Sequence, residues 1–228
     1  MSGLAGLLAG PEVAGPLLLS ARISLCCVPL FAVLGVALGC YLGSGRSALR
    51  SAVDFVVSLP LVFPPIATGF GLLLLLGRQG PLGRPLRAHL DVELVFGFGG
   101  LAIAALVSGL PLMVKPVQAA MRRETAQLAE LSLVLGRSPA ATFFRVVAPS
   151  LRRSLLAGLF LAWARALGEV GVSLMLGGNI VGRTNTVSLE IYNAVSLGEF
   201  GRAGLLAAIL GAFSLVLVLV MRRLGPAD

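Results

Sequence analysis

The chain has 228 residues, of which 57% are hydrophobic and only 12% charged, and its mean hydropathy is +0.97. That balance excludes a soluble globular domain, because so much apolar surface cannot be covered in water. Formal net charge is +8, but the basic residues fall in clusters between apolar runs, as membrane orientation requires, so the charge calls for no nucleic-acid partner.

No basic segment precedes the first apolar stretch and no A-x-A site follows it, so a cleaved signal peptide is not expected and the first span is expected to be retained. Residues 1–16 read as an external tail. A bilayer core takes about 20 apolar residues, and five runs reach that length: Leu17–Leu42, Val53–Leu76, Glu93–Val114, Ser154–Leu176 and Ala203–Met221. They define an all-α integral membrane protein of about five transmembrane helices, with one membrane domain over 17–221 and a tail over 222–228. Cys26, Cys27 and Cys40 share the first run, without metal-ligand spacing or an aqueous face for a disulfide, and read as buried small hydrophobes. The single histidine, His89, has no Cys or carboxylate cluster beside it and reads as a polar loop residue.

Arg46, Arg50, Lys115, Arg122, Arg123, Arg137, Arg145, Arg152, Arg153, Arg222 and Arg223 lie on one side of these spans. Arg78, Arg84, Arg87, Arg183 and Arg202 lie on the other. Eleven against five places the richer side in the cytoplasm, with the N-terminus outside and the C-terminus inside. Residues 124–149 then form a cytoplasmic segment. Glu124 to Leu135 favours helix, Gly136 ends it as a C′ glycine, Ser138-Pro139 caps a second short helix, and Pro149 marks the next boundary. Leu131, Val134, Leu135, Phe143, Phe144, Val146 and Val147 are too apolar for a freely solvated loop and need a packing partner.

The spacing of Glu130, Leu131, Ser132, Gly136 and Ala148-Pro149 resembles the cytoplasmic EAA loop of ABC importer permeases, with Leu131 and Ser132 replacing the usual paired small residues. Leu59 to Gly83 is similar to the proline-rich span of the molybdate and sulfate type permeases. Ala164 to Tyr192 is similar to a late span and external loop of the molybdate branch. The resemblance covers the chain from the first span to Tyr192. It implies a type I importer permease fold, a homodimeric pore, an ATP-binding cassette subunit docked on 124–149, and an external oxyanion-binding protein. In this reading Glu130, Ser132, Gly136, Arg145 and Pro149 couple the pore to the ATPase, with close packing against the partner altered at Leu131 and Ser132, and with Arg145 facing the partner or lipid phosphate. The implied cargo is molybdate, with sulfate or tungstate as alternatives. The sequence contains no G-x-x-x-x-G-K-[ST] phosphate loop, so the chain is expected to bind no cofactor itself, with ATP held by the partner.

Arg165 and Glu169 stand one helical turn apart. Either Arg165 faces the path and attracts an oxyanion, or the two form an internal ion pair; the pair is preferred, because Glu169 would repel a dianion. Pro60, Pro64 and Pro65 interrupt the second run, which makes Thr68 and Gly69 plausible pathway lining unless the span is only kinked. Gly97, Gly99 and Gly100 suggest close helix approach, and Trp163 packing. In the polar external segment Gly177 to Glu199, Asn179, Arg183 and Thr184 offer donors that could steer a dianion, beside Asn185 and Thr186. An engine-free secondary transporter would need proton-relay carboxylates, and Glu169 is the one acidic residue expected near mid-membrane. A membrane enzyme would need clustered His, Asp or Cys, and the sequence has none.

Overall fold

The computed structural model describes residues 11–224, and within them the only regular structure is helical. In chain order these are α1 (Pro11–Gly43), α2 (Ala48–Val62), α3 (Pro65–Leu76), α4 (Gly83–Leu90) and α5 (Phe98–Ala120). A π turn over Met121–Thr125 leads to α6 (Ala126–Val134) and α7 (Pro139–Thr142). A second π turn, Phe143–Val147, leads to α8 (Ala148–Leu167), followed by α9 (Gly171–Gly177), α10 (Val187–Ser196) and α11 (Phe200–Leu224).

Four helical stretches are long and apolar enough to cross a membrane: Val13–Gly43, Phe98–Ala120, Pro139–Leu167 and Phe200–Met221. The other expected run, Val53–Leu76, is broken. Phe63 is extended (ψ 141°), because the ring of Pro64 disfavours helical geometry at the residue before it, and α3 restarts at Pro65. The run Ser154–Leu176 is broken too: α8 starts earlier, at Ala148, ends at Leu167, and is followed after three residues by the short α9. The run expected from Glu93 begins as helix only at Phe98 and continues past Val114 to Ala120, which puts Lys115 inside α5. Pro11 to Pro16, expected as tail, belong to α1, and Val13 is buried with Val187 and Leu206; residues 1–10 lie outside the described residues. The expected tail over 222–228 is helical as far as Leu224, and 225–228 lie outside the described residues.

The core is the packing of α1, α5 and α8, centred on Ile23, Cys27, Phe31, Leu101, Met113, Val117 and Leu151. What allows α1 to lie so close to α5 is a stripe of Gly35, Gly39 and Gly43. A Cβ there would stand 2.1 Å from Met113 Cγ, 2.6 Å from Val117 Cβ and 2.5 Å from Met121 Cβ, respectively. Small residues four apart let backbones approach where lipid offers no hydrophobic driving force between helices. Of the glycines read as packing sites in the third run, a Cβ on Gly100 would stand 2.5 Å from the Leu176 carbonyl oxygen, whereas one on Gly97 would meet nothing within 4 Å.

The outward surface is apolar. Leu25, Val33, Phe55, Val62, Phe70 and Val216 are exposed, and only 6% of the most apolar window of α11 is buried. A bilayer solvates such a surface and water does not. Cys26 joins that outward face and is not buried as expected; Cys27 is buried, its thiol 3.6 Å from the Ala102 carbonyl, and Cys40 is half-buried. All three are free thiols. His89 lies in the last turn of α4, exposed, and not in a loop. Trp163 packs edge-to-face on Phe213 with ring centroids 5.4 Å apart, joining α8 to α11.

Gly39→Val is expected to force α1 from α5 and to lower stability by about 1–3 kcal/mol, read as a fall in the thermal unfolding midpoint of the detergent-purified protein. An unchanged midpoint would mean that the seam can open without cost.

Candidate coupling elbow and helix-break gate

Helix α5 passes through a π turn into α6, reverses at Gly136, and returns through α7 and a second π turn into α8. The reversal is local chemistry. Gly136 has φ +80°, its N–H donates to the Leu133 carbonyl (2.9 Å), and Arg137 N–H donates to the Ser132 carbonyl (3.2 Å). These two bonds occupy carbonyls that the end of α6 leaves without partners, and the left-handed geometry suits a residue with no Cβ. Ser138 then caps α7, its Oγ accepting from Ala141 N–H at 3.3 Å, with Pro139 at the first helical position.

Three expectations need correction here. The first helix starts at Ala126 and not Glu124, because the preceding five residues form the π turn. Ser132 turns inward: it is buried and its Oγ lies 3.0 Å from Thr142 Oγ1, tying the two arms together instead of facing a partner. Pro149 is not a boundary, since Val147 and Ala148 keep helical angles and the chain enters α8 without a stop. The π turn absorbs the proline's missing donor: Ala148 N–H reaches back to the Phe143 carbonyl, and Ser150 Oγ donates to the Val146 carbonyl at 2.7 Å. Glu130 and Arg145 are exposed, and around them Leu131, Val134, Leu135 and Phe144 present an apolar surface, Val134 at 84% and Leu135 at 80% exposure.

The two interrupted runs meet. A Cβ on Gly171 would stand 2.8 Å from Pro65 Cβ, and one on Gly69 would stand 2.9 Å from both Val172 Cα and Met175 Cβ. Gly69 is therefore a buried contact of α3 with α9, while Thr68 is half-buried with its hydroxyl 3.2 Å from the Pro64 carbonyl. Glu169 organises the second break. It lies beyond the end of α8, its Oε1 accepts from Val172 N–H at 2.8 Å, and its Oε2 is 2.5 Å from Arg165 Nη1. The Glu169 side chain is 1% exposed and that of Arg165 is 34% exposed. A single carboxylate thus caps α9 and neutralises Arg165.

The segment expected as an external polar loop has exposed ends and a buried centre, Thr184 to Glu190. Thr184 is fully buried, its hydroxyl donating to the Gly177 carbonyl (2.8 Å) and accepting from Ile180 N–H (2.8 Å), so it shapes the turn and has no group left to meet a dianion. Asn185 holds Gly182 N–H and donates to Glu190 Oε2 at 2.7 Å; Thr186 caps α10. Asn179, with φ +49°, exchanges amide hydrogen bonds with Asn193. Glu190 also pairs with Arg202, which bridges on to Glu199. Arg183 is exposed.

A polar cluster outside the expected site joins α2 to α5. Asp54 Oδ1 accepts from both Lys115 Nζ and Gln118 Nε2, each at 2.8 Å. Asp54 thus adds an acidic residue within the apolar runs to Glu169. An isolated acid in an apolar helix and the chain's single lysine were the available signals.

Residues 35–227 match the family described as the inner membrane component of binding-protein-dependent transport systems. The chain belongs to that family. Among its relatives, the molybdenum transport system permease protein ModB of Azotobacter vinelandii is 37% identical over 193 residues, covering 84% of this chain and 85% of that protein. The sulfate transport system permease protein CysW of Synechococcus elongatus is 32% identical over 200 residues, covering 88% and 69%. A solved bacterial ABC transporter involved in importing the acidic polysaccharide alginate superposes with a TM-score of 0.74 over 98% of this chain and 82% of that one; at 16% identity the likeness concerns the fold alone.

The permease is accordingly a multi-pass inner-membrane subunit with an all-helical ABC importer fold. Replacing Arg165 by Gln strands the buried Glu169 carboxylate and is expected to cost about 3 kcal/mol, seen as a lower unfolding midpoint that Arg165→Gln combined with Glu169→Gln partly restores. Unchanged stability with lost transport would place Arg165 in the anion path instead.

Proposed function

We propose that this permease forms half of a homodimeric pore that imports a tetrahedral oxyanion, molybdate foremost, driven by a separate ATP-binding cassette subunit and supplied by an external oxyanion-binding protein. The observation that carries the reading is the elbow. Its inner side is tied by Ser132 and Thr142, and its outer side offers Leu131, Val134, Leu135 and Phe144 around the exposed Glu130 and Arg145. An apolar patch with a charged rim, too large to leave in water, fits a protein partner. The arginine distribution puts that patch in the cytoplasm, with the N-terminus outside and the C-terminus inside. Because α5 and α8 enter the elbow through π turns without a flexible linker, a push on it is delivered directly to the spans. The sequence carries no phosphate loop, so hydrolysis belongs to the partner. The 37% identity to the Azotobacter molybdenum permease, against 32% to the sulfate permease, supports molybdate as the proposed cargo, with sulfate or tungstate as the alternatives.

The first test is ATPase activity of the permease reconstituted with its ATP-binding subunit, with and without binding protein loaded with molybdate, tungstate or sulfate. Stimulation by one loaded form identifies the cargo; failure of any ATPase to associate removes the importer reading for the elbow. Gly136→Val, forced to φ +80°, is expected to leave the protein inserted but to abolish coupling, so that uptake per ATP hydrolysed falls at least about tenfold; normal uptake would refute the role of the reversal. Arg183→Glu is expected to slow delivery of the dianion at low salt, and undiminished uptake would take Arg183 out of the path.

A further inference from the structure

The Asp54 cluster is built like an occupied anion site. One carboxylate oxygen receives two donors, Lys115 Nζ and Gln118 Nε2, both at 2.8 Å. This is the geometry in which a cationic and a neutral donor hold an oxyanion. Lys115, Gln118 and Arg122 follow at i, i+3 and i+7 along α5 into the π turn, a spacing that sets them along one face. Arg122 lies within electrostatic range of the Asp54 carboxylate and bonds the Leu42 carbonyl at 3.4 Å. Among the described side chains, the stripe thus sets Lys115 and Arg122 against the Asp54 carboxylate. Lys115 and Asp54 keep 34% and 31% of their side-chain surface exposed, so the charged pair is reachable, with Gln118 buried behind it.

The location is informative. Lys115 lies five residues before the end of α5, about 8 Å from the elbow at 1.5 Å per residue. Asp54 lies six residues into α2, which ends at the proline break that meets α9. Any motion of α2 against α5 must either keep the carboxylate on Lys115 or withdraw it. An ionisable pair on facing membrane helices is a functional site by default. Here the acid and the donors sit on different elements, one of which is attached to the elbow.

We infer that Lys115, Gln118 and Arg122 form a station for a tetrahedral oxyanion at the elbow end of the bundle, occupied in this conformation by the Asp54 carboxylate. When α2 withdraws, the donors are left with an unbalanced positive charge that an anion leaving the pore or a lipid phosphate at the membrane surface balances; when α2 returns, Asp54 displaces it. The carboxylate competes with the ligand, so the station's apparent affinity is lowered by the fraction of time Asp54 occupies it. The assignment of the soluble ligand as cargo rests on the importer reading; the station itself does not.

The test is equilibrium binding of radiolabelled molybdate, sulfate and phosphate to the full-length permease in phosphatidylcholine nanodiscs, without binding protein. Asp54→Asn removes the competitor and is expected to tighten binding about tenfold or more; Lys115→Gln added to it abolishes the gain, and Lys115→Arg added to it preserves it. No gain in Asp54→Asn, or a gain that survives Lys115→Gln, overturns the station. Loss of anion binding on adding phosphatidylglycerol identifies a lipid phosphate as the ligand. Binding of phosphate without molybdate or sulfate keeps the station and removes the cargo assignment. Should Asp54→Asn fail to fold, the wild type suffices. Lys115 is the only lysine, so acylation at that position, followed by mass spectrometry, should be slowed by saturating oxyanion relative to chloride at equal ionic strength; equal rates overturn the proposal.

Discussion

The carboxylate of Glu169 holds a break in a membrane helix that could not otherwise exist. In hydrocarbon an unpaired backbone group costs several kcal/mol, so interrupted spans survive only where neighbours satisfy the freed groups. Glu169 takes the Val172 N–H in the first turn of α9 with one oxygen and faces the Arg165 guanidinium with the other. Ser188 Oγ closes the opposite side of the break by donating to the Leu167 carbonyl at 2.6 Å. A lone charge at mid-bilayer costs about 2.5 to 3.5 kcal/mol on insertion scales, and the pair together with the cap offsets much of that. The short α9 can then lie against α3, where Gly69 and Gly171 allow near contact of backbones and join the two interrupted runs.

From that junction the rest of the bundle follows. Helices α3 and α9 pack on the N-terminal half of α5 through Leu72, Leu76, Ala104, Val172 and Leu176, with Val95 of the preceding loop in the same cluster. Helices α1 and α8 grip α5 along its length, α1 through the glycine stripe at the C-terminal end. Helix α5 is therefore central: it touches the break, the core, the Asp54 cluster and, through one π turn, the elbow. The elbow is a closed unit, with its reversal capped at Gly136 and its arms tied by Ser132 and Thr142. Force applied to it has few ways to dissipate before reaching α5 and α8.

Much of the elbow was legible before any coordinates. Gly136, Ser138 and Pro139 act through their own backbone preferences, and the structure realises the reversal and the cap they imply. Pro149 was misleading because its local preference against a helical neighbour is overridden by a π turn, and a π turn has no sequence signature. Ser132 is read from the loop resemblance as a coupling residue and Thr184 from the external segment as a free donor; both are buried, since their hydroxyls find partners that only the folded chain supplies. Gly35, Gly39 and Gly43 were open to view at a spacing of four, but a stripe of small residues acquires meaning only when a partner helix is known.

Composition and charge placement by themselves determined that this is a helical membrane protein with a basic, half-apolar elbow between two spans, because hydropathy and local capping act over a few residues at a time. Tertiary structure alone decided which breaks meet, that the glycine stripe of α1 lies against α5, and that Asp54 finds Lys115 from 61 positions away. Each of these depends on a partner distant in the chain, and the burial that makes such contacts strong exists only once the helices have packed.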